Sequence, residues 1–139
     1  MARICKVLIV ENDDDVRNLL GNVFDHEGYR FAQVKTGAEM RQALDEDDYD
    51  IAVIDITLPG SEDGFALAQI ARDQGCGVVL ITGDHRHLER LQADGQHYLA
   101  KPFRMQQLLE MADKVLAELA TQCVRRKRGD GSLFSARTE

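Results

Sequence analysis

The chain has 139 residues, of which 44% are hydrophobic, and its formal net charge is −7. This length suffices for one domain with a buried core. No apolar run approaches the roughly 20 residues that a membrane-spanning helix requires, and the N-terminus leads into a strand pattern rather than a signal peptide. We therefore expect a cytoplasmic protein without membrane insertion.

Positive charge is concentrated at the C-terminus. Residues 125–139 contain five basic and two acidic residues, which leaves 12 basic and 22 acidic residues in the rest of the chain. Such an acidic body disfavours direct binding of nucleic acid. The C-terminal residues lack an apolar period and contain glycines, so we predict a folded body over residues 1–122 and a basic tail without stable structure over residues 123–139.

Cysteines and histidines give no sign of a metal site. The cysteines are odd in number, widely spaced and without a C-x-x-C pair, so the sequence indicates neither a disulfide framework nor zinc binding. We expect buried or incidental thiols at Cys5, Cys76 and Cys123. The histidines also lack ligand spacing and receive no role; two of them, His85 and His87, are expected at a solvated helix start.

Strand and helix patterns alternate from the N-terminus onward. The apolar run 7–10 predicts the first strand, and the acidic run 13–15 predicts the start of an amphipathic helix that ends at Gly28. A second strand is predicted at Tyr29–Val34, and a short helix opens at Thr36. The alternation indicates α/β architecture from the first elements.

The second half of the chain continues the alternation. A third strand is predicted at 50–55, and Pro59 with Gly60 interrupts regular structure after it. The remaining predicted elements are, in order, a helix from Phe65 to the turn at 75–77, a strand at 78–82, a polar helix around Leu88 and Leu91, a strand at 97–100 and a long helix at 105–119.

Nearly all-apolar central strands that alternate with helices indicate a parallel sheet covered on both faces. We predict one α/β domain with a flavodoxin-like (βα)5 fold, in which a doubly wound five-stranded parallel sheet has the order 2-1-3-4-5. In this order the first and third strands are neighbours where the winding reverses. Open sheets of this kind bind ligands at the carboxyl ends of their strands.

Four of the predicted strands end on polar residues. The first leads into Glu11-Asn12, the third ends at Asp55, the fourth at Thr82, and the fifth leads into Lys101. Because the carboxyl ends of parallel strands lie along one edge of the sheet, these side chains are expected around one pocket. The sequence therefore predicts a site with carboxylates, a hydroxyl and an ammonium group.

Four segments occur in collinear order: Val-Leu-Ile-Val-Glu-Asn-Asp at 7–13, Val-Ile-Asp-Ile-Thr-Leu-Pro-Gly at 53–60 followed by Asp63-Gly64, Leu-Ile-Thr-Gly at 80–83, and Tyr-Leu-Ala-Lys-Pro-Phe at 98–103. Together they resemble the receiver domain of two-component response regulators, of the stand-alone kind found in chemotaxis. The resemblance covers about residues 5–120. Each segment alone is a weak signal, whereas all four in this order are specific.

The resemblance implies a role for each of these residues. Asp55 accepts a phosphoryl group from a sensor histidine kinase or a histidine phosphotransfer protein, and Lys101 neutralises a phosphoryl oxygen. Thr82 donates its hydroxyl to the phosphoryl group, and Tyr98 then rotates into the space that Thr82 leaves. The surface of the fourth helix, fifth strand and fifth helix signals to a downstream protein target. Catalysis is limited to the domain's own phosphorylation and dephosphorylation, so it is otherwise no enzyme.

The family also binds Mg²⁺, and the implied ligands are Glu11, Asn12, Asp55 and the backbone carbonyl of Thr57. The positions implied to tune the chemistry are Thr57, Gly83, Asp84 and Pro102. Gly83 leaves room for the phosphoryl group, and the Lys101-Pro102 bond is cis in this family.

Asn12 departs from the family pattern, which has two adjacent acids after the first strand. An amide can offer Mg²⁺ an oxygen but no charge, and hard cations respond to ligand charge. Asp13 could replace it only if the loop were rearranged. The departure predicts weak Mg²⁺ binding and slow phosphorylation.

Two other functions remain open beside the phosphoacceptor. One is a receiver-like protein-binding module that works without phosphorylation; retention of Asp55, Thr82 and Lys101 favours the phosphoacceptor over it. The other is a phosphatase of the haloacid dehalogenase type, which needs a second aspartate where Thr57 stands. Fewer than 20 residues follow Thr121, too few for an effector domain, so we expect a stand-alone regulator or a phosphorelay intermediate.

Overall fold

A computed structural model describes residues 3–57, 63–119 and 122–126. The strands are β1 (Arg3–Ile4), β2 (Lys6–Val10), β3 (Arg30–Val34), β4 (Ile51–Asp55), β5 (Gly77–Thr82), β6 (Tyr98–Ala100) and β7 (Cys123–Val124). The helices are α1 (Asp14–His26), α2 (Gly37–Glu46), α3 (Gly64–Asp73), α4 (Leu88–Ala93) and α5 (Met105–Glu118), with a 3₁₀ turn (His85–His87) before α4. The predicted loop at Leu58–Gly60 lies outside the described residues.

The central sheet has five parallel strands in the order β3-β2-β4-β5-β6. This is the predicted order 2-1-3-4-5, so the flavodoxin-like fold is confirmed. Strand β2 pairs with β3 on one side and β4 on the other, which places the reversal of winding between β2 and β4. None of the described helices is long and apolar enough to cross a membrane.

The sheet separates two apolar layers because neighbouring strand residues point to opposite faces. On one face, Val7 and Ile9 of β2 pack in a cluster with residues of α1 and α5. On the other face, Leu8 and Val10 pack in a cluster with residues of α2, α3 and α4. Burial on both faces explains why the central strands are continuously apolar.

Local signals set the starts of three helices. The side chains of Asp13, Thr36 and Asp63 accept hydrogen bonds from backbone N–H groups in the first turns of α1, α2 and α3. These caps satisfy donors that a helix N-terminus leaves without partners. At the end of α1, Gly28 has a φ of 89°, which a residue with a side chain rarely adopts.

The expectation of three unpaired thiols is wrong for two of them. Cys5 and Cys123 form a disulfide with a Cα–Cα distance of 4.7 Å, and only Cys76 is free and buried. The bond joins residues 118 positions apart. It forms because β1 and β7 pair in parallel, with Arg3 opposite Cys123, and this pairing brings together the two ends of the described part of the chain.

The C-terminal segment also differs from the prediction where it is described. Residues 123–126 pack on the body instead of forming the start of an unstructured tail. Arg125 pairs with Glu27 at 2.9 Å, and the backbone N–H of Arg126 donates to the carbonyl of Gly28 at 2.6 Å. The predicted boundary after residue 122 therefore separates residues that belong to one packed unit, and residues 127–139 lie outside the described part.

Reduction of the disulfide is expected to lower the free energy of unfolding by about 2–4 kcal/mol. The reason is that the Cys5–Cys123 bond restricts the unfolded chain by closing a loop of 118 residues. Urea unfolding with and without a thiol reductant measures the difference. In the Cys123→Ser variant the reductant should have no further effect. Equal urea midpoints for the oxidised and reduced wild-type protein would contradict the assignment.

Candidate functional site

The carboxyl ends of the central strands bring together the predicted polar residues. The Nζ atom of Lys101, just after β6, lies 2.9 Å from Oδ2 of Asp55 at the end of β4. It also lies 3.4 Å from Oε1 of Glu11, just after β2. The two carboxylates are almost fully buried, with 2% exposure for Glu11 and 4% for Asp55. One cation thus contacts two buried acids at the reversal point of the sheet.

The second oxygen of Asp55 is held by Thr57. The Thr57 backbone N–H donates to Oδ1 at 2.8 Å, and its hydroxyl donates to the same atom at 2.5 Å. With Lys101 on Oδ2, both oxygens of the carboxylate have partners. The arrangement fixes the orientation of the Asp55 side chain, since each oxygen is restrained by a different element.

The surroundings drive the pKa values of the two buried carboxyl groups in opposite directions. Burial raises the pKa of Glu11 above its ordinary value of 4.5, and the charge of Asp55 raises it further. Burial also opposes ionisation of Asp55, but hydrogen bonds from Thr57 and the Lys101 ammonium outweigh it and lower the pKa of Asp55. At neutral pH Asp55 is therefore a carboxylate, the form that acts as a nucleophile.

Burial lowers the pKa of Lys101 as well, but the hydrogen bond and charge of Asp55 and the charge of Glu11 outweigh it. The net effect is a raised pKa. Lys101 therefore remains an ammonium group at neutral pH. A permanent positive charge beside Asp55 is what transfer of an anionic phosphoryl group requires.

In the loop after β2, Asn12 is exposed on the surface, and the next residue, Asp13, makes structural contacts. Asp13 caps α1 through its side chain, and its backbone N–H donates to Oε2 of Glu11 at 3.0 Å. Arg17 donates to the backbone carbonyls of Glu11 at 3.1 Å and of Asn12 at 3.4 Å. The Oδ1 atom of Asp13 is thus engaged at the N-terminus of α1.

The oxygen donors at this edge suit a hard cation. The described residues contain no cluster of three or more His, Cys, Asp or Glu side chains arranged to hold a metal. Mg²⁺, however, is commonly bound through one or two carboxylates together with phosphate oxygens and water. Glu11 and Asp55 provide two carboxylates, so the oxygen donors fit Mg²⁺. A pocket with three acids would offer the ion more anionic ligands.

Mg²⁺ binding by the wild-type chain is expected to weaken as the pH falls through the raised pKa of Glu11, which lies above 4.5. A carboxyl group must lose its proton to bind the ion, and Asp55 stays ionised in this range because its pKa is lowered. Mg²⁺ titrations at several pH values, followed by amide NMR shifts, measure the effect. In Glu11→Gln, binding should be weaker throughout and its pH dependence in this window should be lost. The same pH dependence in both proteins would assign it to another group.

Thr82 ends β5 with a buried hydroxyl whose hydrogen bonds lead away from the carboxylates. Its Oγ1 accepts from the backbone N–H of Asp84 at 3.0 Å and lies 2.9 Å from Nδ1 of His87. His87 lies at the start of α4 as expected, but its ring is half-buried against Thr82 rather than solvated. His85, in the same 3₁₀ turn, is exposed as expected.

Other predicted positions surround this edge. Tyr98 is half-buried in β6, and its hydroxyl accepts a hydrogen bond from Gln92 of α4 at 3.0 Å. The Lys101-Pro102 bond is cis, as the resemblance implied. Among the described residues, a Cβ atom at Gly83 would meet only Cδ of Lys101 at 3.7 Å, which is an ordinary contact.

Sequence reasoning missed the supporting roles of Gly64 and Arg17. A Cβ atom at Gly64 would lie 2.5 Å from the Cα atom of Ile56, so only glycine allows α3 to approach the end of β4 this closely. Arg17 holds the loop after β2 through the carbonyl contacts described above. The spacing Asp63-Gly64 after the third strand could have signalled the first role, whereas no local pattern signals the second.

Comparison with known proteins assigns most of the chain to one family. The family model described as "Response regulator receiver domain" matches residues 7–113. "Aerobic respiration control protein ArcA" of Escherichia coli is 34% identical over 115 residues, which are 80% of this chain and 48% of that protein. "Transcriptional regulatory protein GltR" of Pseudomonas aeruginosa is 33% identical over 110 residues, which are 74% and 45%. The chain spans about half the length of these relatives.

Solved structures share the fold. A response regulator receiver protein from Sinorhizobium medicae has a TM-score of 0.77 at 21% identity and covers 84% of this chain and 97% of its own. The response regulator TrrA from Thermotoga maritima, solved in complex with Mg²⁺-BeF, has a TM-score of 0.72 at 24% identity and covers 81% and 99%. At these identities the similarity supports the fold.

Proposed function

Because the chain belongs to the response regulator receiver domain family, we propose that Asp55 accepts a phosphoryl group from a sensor histidine kinase or a histidine phosphotransfer protein. The contact of 2.9 Å between Lys101 and Asp55, beside the buried Glu11, carries this proposal. This contact joins a carboxylate and an ammonium group at the edge where the polar strand ends meet, which supports the roles of nucleophile and neutralising cation. The acidic body of the chain supports protein partners rather than nucleic acid.

Transfer begins when an Asp55 oxygen attacks the phosphorus atom of a phosphohistidine. The new O–P bond forms as the P–N bond breaks, and the departing imidazole keeps the electron pair of that bond and takes up a proton from water. Lys101 stays against the phosphoryl oxygens and offsets their charge. The Thr57 backbone N–H holds the carboxylate in orientation. A Mg²⁺ ion held by Glu11, Asn12, Asp55 and the Thr57 carbonyl would supply further positive charge.

The charge of the phosphoryl group then biases the switch residues. Thr82 leaves its contacts with Asp84 and His87 and donates its hydroxyl to a phosphoryl oxygen, and Tyr98 turns into the space that Thr82 leaves. The Tyr98–Gln92 bond connects this movement with α4. The face formed by α4, β6 and α5 is the surface that a downstream protein reads. Thr57, Gly83, Asp84 and Pro102 lie within two residues of Asp55, Thr82 or Lys101 in the chain and tune the lifetime of the phosphoryl group.

The Asn12 amide favours one second candidate, a binding module that works without phosphorylation. Weak metal binding would slow phosphorylation, whereas protein contacts through the α4-β6-α5 face need no metal. A phosphatase of the haloacid dehalogenase type is disfavoured, because the second position after Asp55 holds the Thr57 hydroxyl rather than a carboxyl group.

Incubation with phosphoramidate and Mg²⁺ tests the proposal. We expect intact mass spectrometry to show the addition of one phosphoryl group, and peptide mapping after borohydride reduction to locate it at Asp55. The modification should require Mg²⁺ and should be lost slowly by hydrolysis. Absence of modification at saturating donor and Mg²⁺ would overturn the proposal and favour the binding module.

A further inference from the structure

The Thr82 hydroxyl has more partners than its predicted role requires. Its oxygen accepts the Asp84 backbone N–H at 3.0 Å, and its single proton has two neighbouring acceptors. These are Nδ1 of His87 at 2.9 Å and the carbonyl of Asp84 at 3.3 Å. Among the described residues, neither Asp55 nor Lys101 offers this hydroxyl a hydrogen bond. The shortest contact of the hydroxyl is therefore with a histidine rather than with the acceptor carboxylate.

The His87 ring is positioned by packing as well as by its turn. It lies edge-on to Phe65 of α3, with ring centroids 5.9 Å apart. The Arg90 guanidinium of α4 covers the same Phe65 ring at 3.7 Å. The turn that carries His87 is closed by Asp84, whose side chain accepts from the backbone N–H of Arg86. His87 thus connects Thr82 with both α3 and α4.

We propose that His87 is a positioning residue that holds the Thr82 hydroxyl in the unphosphorylated arrangement. This proposal rests on the phosphoacceptor function proposed above. To donate to a phosphoryl oxygen, the hydroxyl must leave His87, so the 2.9 Å bond is present in one state of the switch and lost in the other. A contact made in only one of two states shifts the equilibrium toward that state.

The Thr82–His87 hydrogen bond forms with either tautomer of the ring. With the proton on Nε2, the Thr82 hydroxyl donates to Nδ1; with the proton on Nδ1, the ring donates to the hydroxyl oxygen. Both arrangements lose a hydrogen bond when Thr82 moves. The movement also frees the His87 ring, which packs on Phe65. Because His87 directly precedes α4, its release transmits the movement of Thr82 to the start of that helix.

Removal of the ring acceptor is expected to favour the phosphorylated arrangement. We expect His87→Ala and His87→Phe to bind beryllofluoride, a phosphoryl mimic, about 2- to 10-fold more tightly than the wild-type chain at saturating Mg²⁺, which corresponds to one hydrogen bond. His87→Phe keeps the aromatic contact with Phe65, so it serves even if the alanine variant fails to fold. His87→Asn places an amide oxygen near the position of Nδ1 and should restore wild-type affinity.

Two controls separate this role from a general effect on the turn. His85→Ala changes an exposed histidine of the same turn and should leave beryllofluoride affinity unchanged. In the Thr82→Ala background, His87→Phe should no longer increase affinity, because the partner hydroxyl is absent.

Unchanged or weaker binding by His87→Phe, while the wild-type chain binds beryllofluoride normally, would overturn the positioning role and leave the phosphoacceptor function in place. An equal gain in both backgrounds would also overturn it. If the wild-type chain itself neither binds beryllofluoride nor accepts a phosphoryl group, the proposed function fails first, and the role of His87 fails with it.

Discussion

Replacing Asp55 by asparagine is expected to abolish phosphorylation of the chain by phosphoramidate. The amide still accepts a hydrogen bond through its oxygen, so the contacts with Thr57 and Lys101 can partly remain. It lacks the anionic oxygen that attacks phosphorus. Intact mass spectrometry over a time course measures the loss, and circular dichroism confirms that the variant is folded.

Asp48→Asn is the matched control, because it makes the same chemical change at an exposed aspartate. This variant should be phosphorylated at the wild-type rate. Unchanged labelling of Asp55→Asn would show that another group accepts the phosphoryl group, and Glu11, the neighbouring buried carboxyl group, would be the first residue to map.

Replacing Asn12 by aspartate is expected to tighten Mg²⁺ binding about tenfold, or ~1.4 kcal/mol, and to speed phosphorylation by small donors. Among the described residues, the pocket of the wild-type chain has only the Glu11 and Asp55 carboxylates, and the carboxylate of Asp13 is engaged at the N-terminus of α1. A third carboxylate would supply the missing ligand charge. Its cost is greater repulsion around Asp55 when no ion is bound, so the variant should be less stable without Mg²⁺ than with it.

Asn22→Asp provides the control for this experiment. It adds the same charge at an exposed position of α1, about 12 Å along the helix from its start. At that distance salt screens most of the interaction between the added charge and the bound ion. Mg²⁺ titrations of the three proteins decide the prediction. Equal affinity in Asn12→Asp and the wild-type chain would mean that the backbone or another residue already fills the ligand position.

The order of elements and the edge at which the site lies were predictable from the residue pattern of the chain. Apolar residues at strand and helix spacing predicted the central strands and the helices, with ends displaced by one residue in places such as Arg30 and Gly77. Because parallel strands share one carboxyl edge, the positions of Glu11, Asp55 and Lys101 at strand ends were sufficient to predict that they meet. Such inferences succeed because they depend on local periodicity and on one rule of topology.

The contacts that join distant or irregular parts of the chain could not be predicted in this way. The Cys5–Cys123 bond depends on pairing between the two ends of the described chain, which no local pattern records. The His87–Thr82 bond joins residues only five positions apart, yet it depends on the 3₁₀ turn and on the Phe65 ring from another helix. The physical reason is the same for both contacts: side-chain chemistry shows which groups can bond, and only packing of non-neighbouring elements determines which of them meet.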